Sequence, residues 1–156
     1  MPTSRKFPIL AVCILFAVLG GYYFKQRCLP RFRTVDRGVL YRSGQPRGLG
    51  LPAMRMYGIR TLVNLRASQA EGASAERDYA STHGMNYHQI ALGESAGSMN
   101  EAIDAVLAVI ADPTNHPVLV HCSRGKERSG IISAAYRLEI DGWSEKETFA
   151  ELHALG

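Results

Sequence analysis

The sequence predicts an α/β fold: a mainly parallel central sheet flanked by helices, preceded by an N-terminal transmembrane helix. Three observations carry this expectation. Short β-branched apolar runs alternate with helical patterns from Val39 to the end, the order that builds a parallel sheet with helices on its faces. One run, "IRTLVNLR" (59–66), is apolar at successive positions, as strands covered on both faces are. Residues 7–24, "FPILAVCILFAVLGGYYF", hold no charge over 18 positions, just long enough to span a bilayer.

Taken in order, Arg5 and Lys6 precede the apolar run, and Lys25, Arg27, Arg31, Arg33 and Arg37 follow it with only Asp36 to offset them. A cleaved signal peptide is the rival reading, but cations directly after the run favour an uncleaved anchor with Tyr22, Tyr23 and Phe24 as an interfacial belt. The same charge balance favours the cytoplasmic side for the following domain, although a short anchor with a basic start also inserts the other way. The expected boundaries are a basic start at 1–6, the anchor at 7–24, a basic linker at 25–34 and one folded domain at 35–156.

Within that domain "GVLYRSGQP" (38–46) reads as a strand turned by Gly44 and Pro46, and "GLPAMRMYG" as a short helix ended by Gly58. "SAERDYASTHG" (74–84) opens on Ser and Glu and closes on Gly84, the pattern of a capped helix. "MNYHQIAL" (85–92) is the next strand. In "MNEAIDAVLAVIAD" the spacing of Ile103, Val106, Leu107 and Ile110 buries one helix face, and Asp112 and Pro113 stop it. "PVLVH" is a strand, "SGIISAAYRLEIDG" a helix ended by Gly142, and "SEKETFAELHALG" a last helix with Ser144 as cap and Trp143 as a core anchor.

With 156 residues and 46% hydrophobic content, the chain has material for one domain with a modest core. The formal charge of +4 is concentrated beside the apolar run, which points to a membrane flank and away from nucleic acid. Three cysteines imply no disulfide framework: Cys13 lies in the apolar run, and Cys28 beside it. His83, His88, His116 and His153 lack metal-ligand spacing, so no metal is expected, and the cysteine chemistry set out below needs no organic cofactor.

Cys122 stands apart. In "HCSRGKERSG" it ends a strand, Gly125 lies in the loop, Arg128 closes it and a helix opens near Ser129. Backbone N–H groups of such a loop turn inward as a nest, the helix adds positive potential, and the concavity suits a phosphate-sized dianion. The planar Arg128 guanidinium can grip two of its oxygens. The same field stabilises a thiolate. Cys122 then serves as a nucleophile that forms a phosphocysteine, which water hydrolyses. Ser129 assists departure of the sulfur, and His121 orders the loop. Without the thiol chemistry, the loop is a phosphate-binding module.

These residues resemble the His-Cys-x5-Arg-Ser/Thr-Gly signature of the cysteine-dependent protein tyrosine and dual-specificity phosphatases. "LYRSGQP" and "GIRTLVNLR" further resemble the atypical small bacterial, fungal and plant members. The resemblance covers about Val35 to Leu155 and implies a tyrosine-phosphatase-like fold and hydrolysis of a phosphorylated protein or inositol, with Cys122 as nucleophile, Arg128 as phosphate ligand, Ser129 as the hydroxyl assisting thiolate departure, and Ser123, Arg124, Gly125, Lys126 and Glu127 as the amide cradle. Sulfurtransferases use a similar loop, but theirs closes one residue sooner.

The pattern is departed from in one respect. The family's aspartate general acid follows the third strand, yet between Met85 and Met99 the sole carboxylate is Glu94. Either Glu94 is the acid, or the leaving group needs little protonation, as a phosphate does. Arg124 and Lys126 fit a multiply charged substrate such as an inositol pyrophosphate, unless both face solvent with Glu127 cancelling one charge. Arg66, on the same sheet edge as Cys122, either contacts substrate or pairs with Glu71 or Glu76. Arg42, Ser43 and Gln45 are read as support for the pocket.

Overall fold

The structure, a computed structural model, describes the backbone of residues 6–93 and 99–155 and the side chains of 10–23, 26–93 and 99–154. Six α-helices and five strands follow in the order α1 (Lys6–Cys28), β1 (Arg33–Asp36), β2 (Leu40–Ser43), α2 (Gly50–Met56), β3 (Thr61–Asn64), α3 (Ala73–Thr82), β4 (Asn86–Gln89), α4 (Met99–Ala111), β5 (Val118–His121), α5 (Glu127–Glu139) and α6 (Glu145–Leu155). The strands form one sheet in the order β1-β2-β5-β3-β4. Four are parallel, with β5 between β2 and β3, while β1 pairs antiparallel with β2 at the edge. The sheet is therefore mixed, and the expected parallel core holds within it.

The two faces of the sheet explain the apolar runs. On one side Leu40, Val63, Leu65, Val118, Val120 and Cys122 pack with Val106, Leu107 and Ile110 of α4 and Ile132 and Tyr136 of α5. On the other, Leu62 and Leu119 meet Met54 of α2, Ala80 of α3 and Leu29 and Phe32. All four residues of β3 and of β5 are buried, as strands covered on both faces require.

Leu29 and Phe32 lie in the stretch expected to be a basic linker, and each is at most 5% exposed. The folded unit thus reaches back at least to Leu29. β1 was not visible as a strand because three of its four residues, "RTVD", are polar. Tertiary contacts hold it: Tyr136 donates its hydroxyl to Asp36 at 2.7 Å, and Arg137 Nη2 donates to the Val35 carbonyl at 2.5 Å.

Other expectations need correction in detail. The N-cap of α3 is Gly72 in the left-handed region, with no side-chain cap hydrogen bond, so Ser74 does not cap it. α5 begins at Glu127, two residues before the expected start. Trp143 is half-buried, and its ring carries the Arg137 guanidinium at 4.0 Å, so it is a stacking partner and not a core anchor. Ser144 and Glu147 do form the reciprocal cap of α6, Glu147 N donating to Ser144 Oγ at 3.3 Å and Ser144 N to Glu147 Oε2 at 3.0 Å.

Among the described residues, no helix is long and apolar enough to cross a membrane. The run expected to span, 7–24, forms the body of α1. The side chains of 7–9 and 24 lie outside the described residues.

Candidate active site

The carboxyl end of β5 delivers Cys122 to the base of a loop that becomes the first turn of α5. The thiol is 4% exposed and sits at the floor of a hollow of about 70 Å3 lined by Cys122, Ser123, Arg124, Glu127 and Arg128. A larger groove of about 870 Å3, lined by Ile103, Ile131, Leu138 and Phe149 among others, runs along the flank of α5 and shares Glu127 with this hollow.

The loop can close this tightly because of Gly125. Its φ is +70°, and a Cβ there would overlap the backbone nitrogen of Gly44 and stand 2.7 Å from the carbonyl carbon of Ser43. Only glycine fits a left-handed position pressed against backbone. The fit turns the Gly125 N–H onto Cys122 Sγ at 3.2 Å. The end of β2 forms the shelf beneath: Cys122 N donates to the Ser43 carbonyl at 3.4 Å and Gln45 N to the Ser123 carbonyl at 3.3 Å.

Burial alone would raise the pKa of the Cys122 thiol. The Ser129 N–H and hydroxyl and the amides of Gly125 and Lys126 outweigh it and hold the thiol below its ordinary value. The Ser129 Oγ stands 3.7 Å from the sulfur, itself buried. Arg128 is anchored over the site by Nη1, which donates to the Leu65 carbonyl at 3.4 Å.

The structure distributes the remaining candidates unevenly. Arg124 points outward with its side chain 72% exposed and pairs with Glu127 at 3.3 Å, so that pair is partly self-neutralised. Lys126 and Ser123 are exposed. Arg66 is 8% exposed, and its Nη1 donates to the backbone carbonyl of Glu71 at 2.9 Å, so its partner is neither carboxylate. Glu94 lies outside the described residues, and the identity of the acid with it. Asp104 is exposed on α4. Among the described residues no cluster of His, Cys, Asp and Glu is arranged to hold a metal ion.

His121 is fully buried, and its Nε2 lies 3.0 Å from Oε2 of Glu76, which also accepts from Asn64 Nδ2 at 2.8 Å. Asn64 Oδ1 in turn accepts from the Arg66 N–H at 2.9 Å. The network ties β5, β3 and α3 together directly behind Cys122. Sequence reasoning missed Glu76 as a site component, taking it for a surface partner of Arg66. A glutamate three residues into a polar helix carries no mark of burial, and only its position beneath two strand ends buries it.

The comparisons with known proteins agree with this geometry. The model of the tyrosine phosphatase family matches residues 29–154. The chain belongs to that family. An inositol diphosphatase of Oryza sativa subsp. japonica is 33% identical over 124 residues, covering 77% of this chain and 54% of the relative. The catalytic core of the PP-IP phosphatase SIW14 of S. cerevisiae, solved with citrate, superposes with a TM-score of 0.68 at 23% identity over 80% of this chain and 75% of that one. A variant of P. aeruginosa TpbA in complex with phosphotyrosine gives a TM-score of 0.61 at 19% identity over 80% of each chain. At these identities the two structures speak for the shared fold alone. The chain spans a little over half the length of the curated relatives it matches.

Proposed function

We propose that this tyrosine phosphatase family member is a cysteine-dependent phosphatase whose substrates are phosphorylated inositols, including pyrophosphates, with phosphotyrosine-type proteins as the second class. The observation that carries the reading is the buried Cys122 sulfur, held below its ordinary pKa by loop amides at the floor of a hollow the size of one phosphoryl group. In the first step the Cys122 thiolate attacks phosphorus: an S–P bond forms, the bond to the leaving oxygen breaks, and the leaving group departs with the electron pair. Loop amides and the Arg128 guanidinium bind the three equatorial oxygens as charge spreads over them. Water then attacks phosphorus, releasing inorganic phosphate and the thiolate, whose departure the Ser129 hydroxyl assists by donating to sulfur.

The preference for inositol pyrophosphates rests on two supports. The rice relative is named an inositol diphosphatase. A phosphoanhydride also releases a phosphate, a far better leaving group than an alkoxide, so it needs little help from a general acid. The self-pairing of Arg124 with Glu127 weakens the separate argument from loop charge. The phosphotyrosine class is kept because the matching family is that of the tyrosine phosphatases, and it makes Glu94 the acid.

The test is phosphate release by the full chain from an inositol pyrophosphate and an aryl phosphate in parallel, with Cys122→Ser alongside. Faster turnover of the anhydride supports the first class, and faster turnover of the ester assigns the second. Equal release by Cys122→Ser defeats the mechanism, and phosphate binding without release by the wild type leaves a binding module. Anchoring of α1 in a membrane is a separate proposal. It rests on the uncharged run 7–24 and on outward side chains such as Leu10, Phe16 and Val18, and recovery of the full chain in the soluble fraction would refute it.

A further inference from the structure

Arg42 is a charged side chain with no exposed charge. It is 1% exposed and is among the largest wholly buried side chains of the protein. On β2 it stands beside Val120 of β5 and two residues from Leu40 on the same side of the strand, so it points to the face that carries Val118, Val120 and Cys122. The guanidinium runs beneath the first turn of α5, where a Cβ on Gly130 would meet Nη1 at 3.3 Å. Its Nε and Nη1 have no hydrogen-bond partner among the described residues.

A buried guanidinium so poorly bonded is expensive and needs an anion. The charged groups that act on it are Glu151 of α6, Arg33 of β1 and Cys122 just beyond β5. Arg33 repels it. Glu151 is engaged elsewhere, its two oxygens accepting from Arg137 at 2.7 and 3.1 Å. Cys122 is the other anion that acts on it, and it follows β5 on the sheet face to which Arg42 points. We propose that Arg42 is the buried cation that keeps Cys122 a thiolate from behind the phosphate loop, a positioning residue that never touches substrate. This rests on Cys122 being the nucleophile.

The arrangement answers a need that the front of the site cannot meet. When a phosphate dianion docks, it neutralises Arg128 and sets negative charge beside the sulfur, and both effects favour the inert thiol. Arg42 is shielded from substrate by the loop itself and retains its field at that moment. Burial pushes its guanidinium below the ordinary range, with Glu151 and Cys122 pulling back, yet an arginine remains charged where a lysine would readily lose its proton.

The test is the pH profile of Cys122 alkylation by iodoacetamide in the full chain, read at the Cys122 peptide by mass spectrometry so that Cys13 and Cys28 do not contribute. Arg42→Met is expected to move the profile upward by about one unit, slowing alkylation at pH 5 to 6 about tenfold, with the acid limb of phosphate release moving in step. Arg42→Lys, which begins with a charge, should recover part of the shift. A cooperatively melting Arg42→Met protein with the wild-type profile overturns the proposal, as does Arg42→Gln with that profile if the Met variant does not fold. In the wild type alone, a thiol returned to its ordinary range by 1 M salt overturns it too, because a buried source is screened little. Equal phosphate release by Cys122→Ser would instead defeat the phosphatase reading, and the alkylation profiles would still answer for Arg42.

Discussion

Replacing Gly125 by alanine separates the two physical demands made on the phosphate loop. The first is backbone conformation: φ of +70° costs a non-glycine residue about 1–2 kcal/mol. The second is space, since the new Cβ would overlap Gly44 N and lie 2.7 Å from Ser43 C, both of them backbone atoms that cannot rotate away. Forcing such an overlap typically costs a further 1–3 kcal/mol, so the expected loss is about 2–5 kcal/mol. Gly38→Ala is the internal reference, because Gly38 has φ of +82° but nothing within 4 Å of its would-be Cβ. It should lose only the conformational part, about 1 kcal/mol. Urea denaturation of the three proteins, with m-values compared, reads the difference. A Gly125→Ala protein as stable as Gly38→Ala would refute the argument that β2 forms a rigid shelf under the loop. The alanine should also push the Gly125 N–H off the sulfur and raise the thiol's pKa, seen as slower alkylation at pH 6.

The thiol also makes stability depend on pH. Folding depresses its pKa, so wild type should gain stability over Cys122→Ser as pH rises from the folded value, complete above the unfolded value of about 8.5, and lose it as pH falls; melting temperatures from pH 5 to 9 check the sign. Glu76→Ala removes one of the two partners of the buried Asn64 Nδ2 and leaves the buried His121 Nε2 unpaired, and should cost about 3 kcal/mol by urea denaturation, with Glu76→Gln costing less. Arg137→Met removes the bonds to Glu151, Asp141 and the Val35 carbonyl, so a loss of about 3 kcal/mol is expected. Fluorescence of Trp143, the sole tryptophan, should change with it, as the guanidinium leaves the ring.

The loop was legible because its chemistry is local. Cys122, Gly125, Arg128 and Ser129 lie within eight consecutive residues, and strand, turn and helix signals flank them in the order that makes the cradle. The paired faces of β3 and β5 were equally plain from unbroken apolar runs. What the sequence concealed depends on contacts far along the chain. β1 is mostly polar and becomes a strand through Tyr136 and Arg137, about 100 residues away. Glu76 is buried by His121, 45 residues on. Leu29 and Phe32 were hidden among arginines that face outward around them. Arg42 was recognised only as part of a segment, since the meaning of a buried charge appears when its neighbours are known.

The residues just after α1 carry a mechanical consequence. Arg47 N donates to the Cys28 carbonyl at 2.9 Å, Gly44 N to the Pro30 carbonyl at 2.7 Å, and Arg31 Nη1 to the Arg124 carbonyl at 3.0 Å. The helix therefore meets the rest of the molecule through a clamped joint, not a slack tether, and one of its three clamps grips the rim of the pocket. Whatever fixes the heading of α1 also fixes the direction in which the pocket mouth opens, and twisting the helix would have to break those bonds or drag the rim with it.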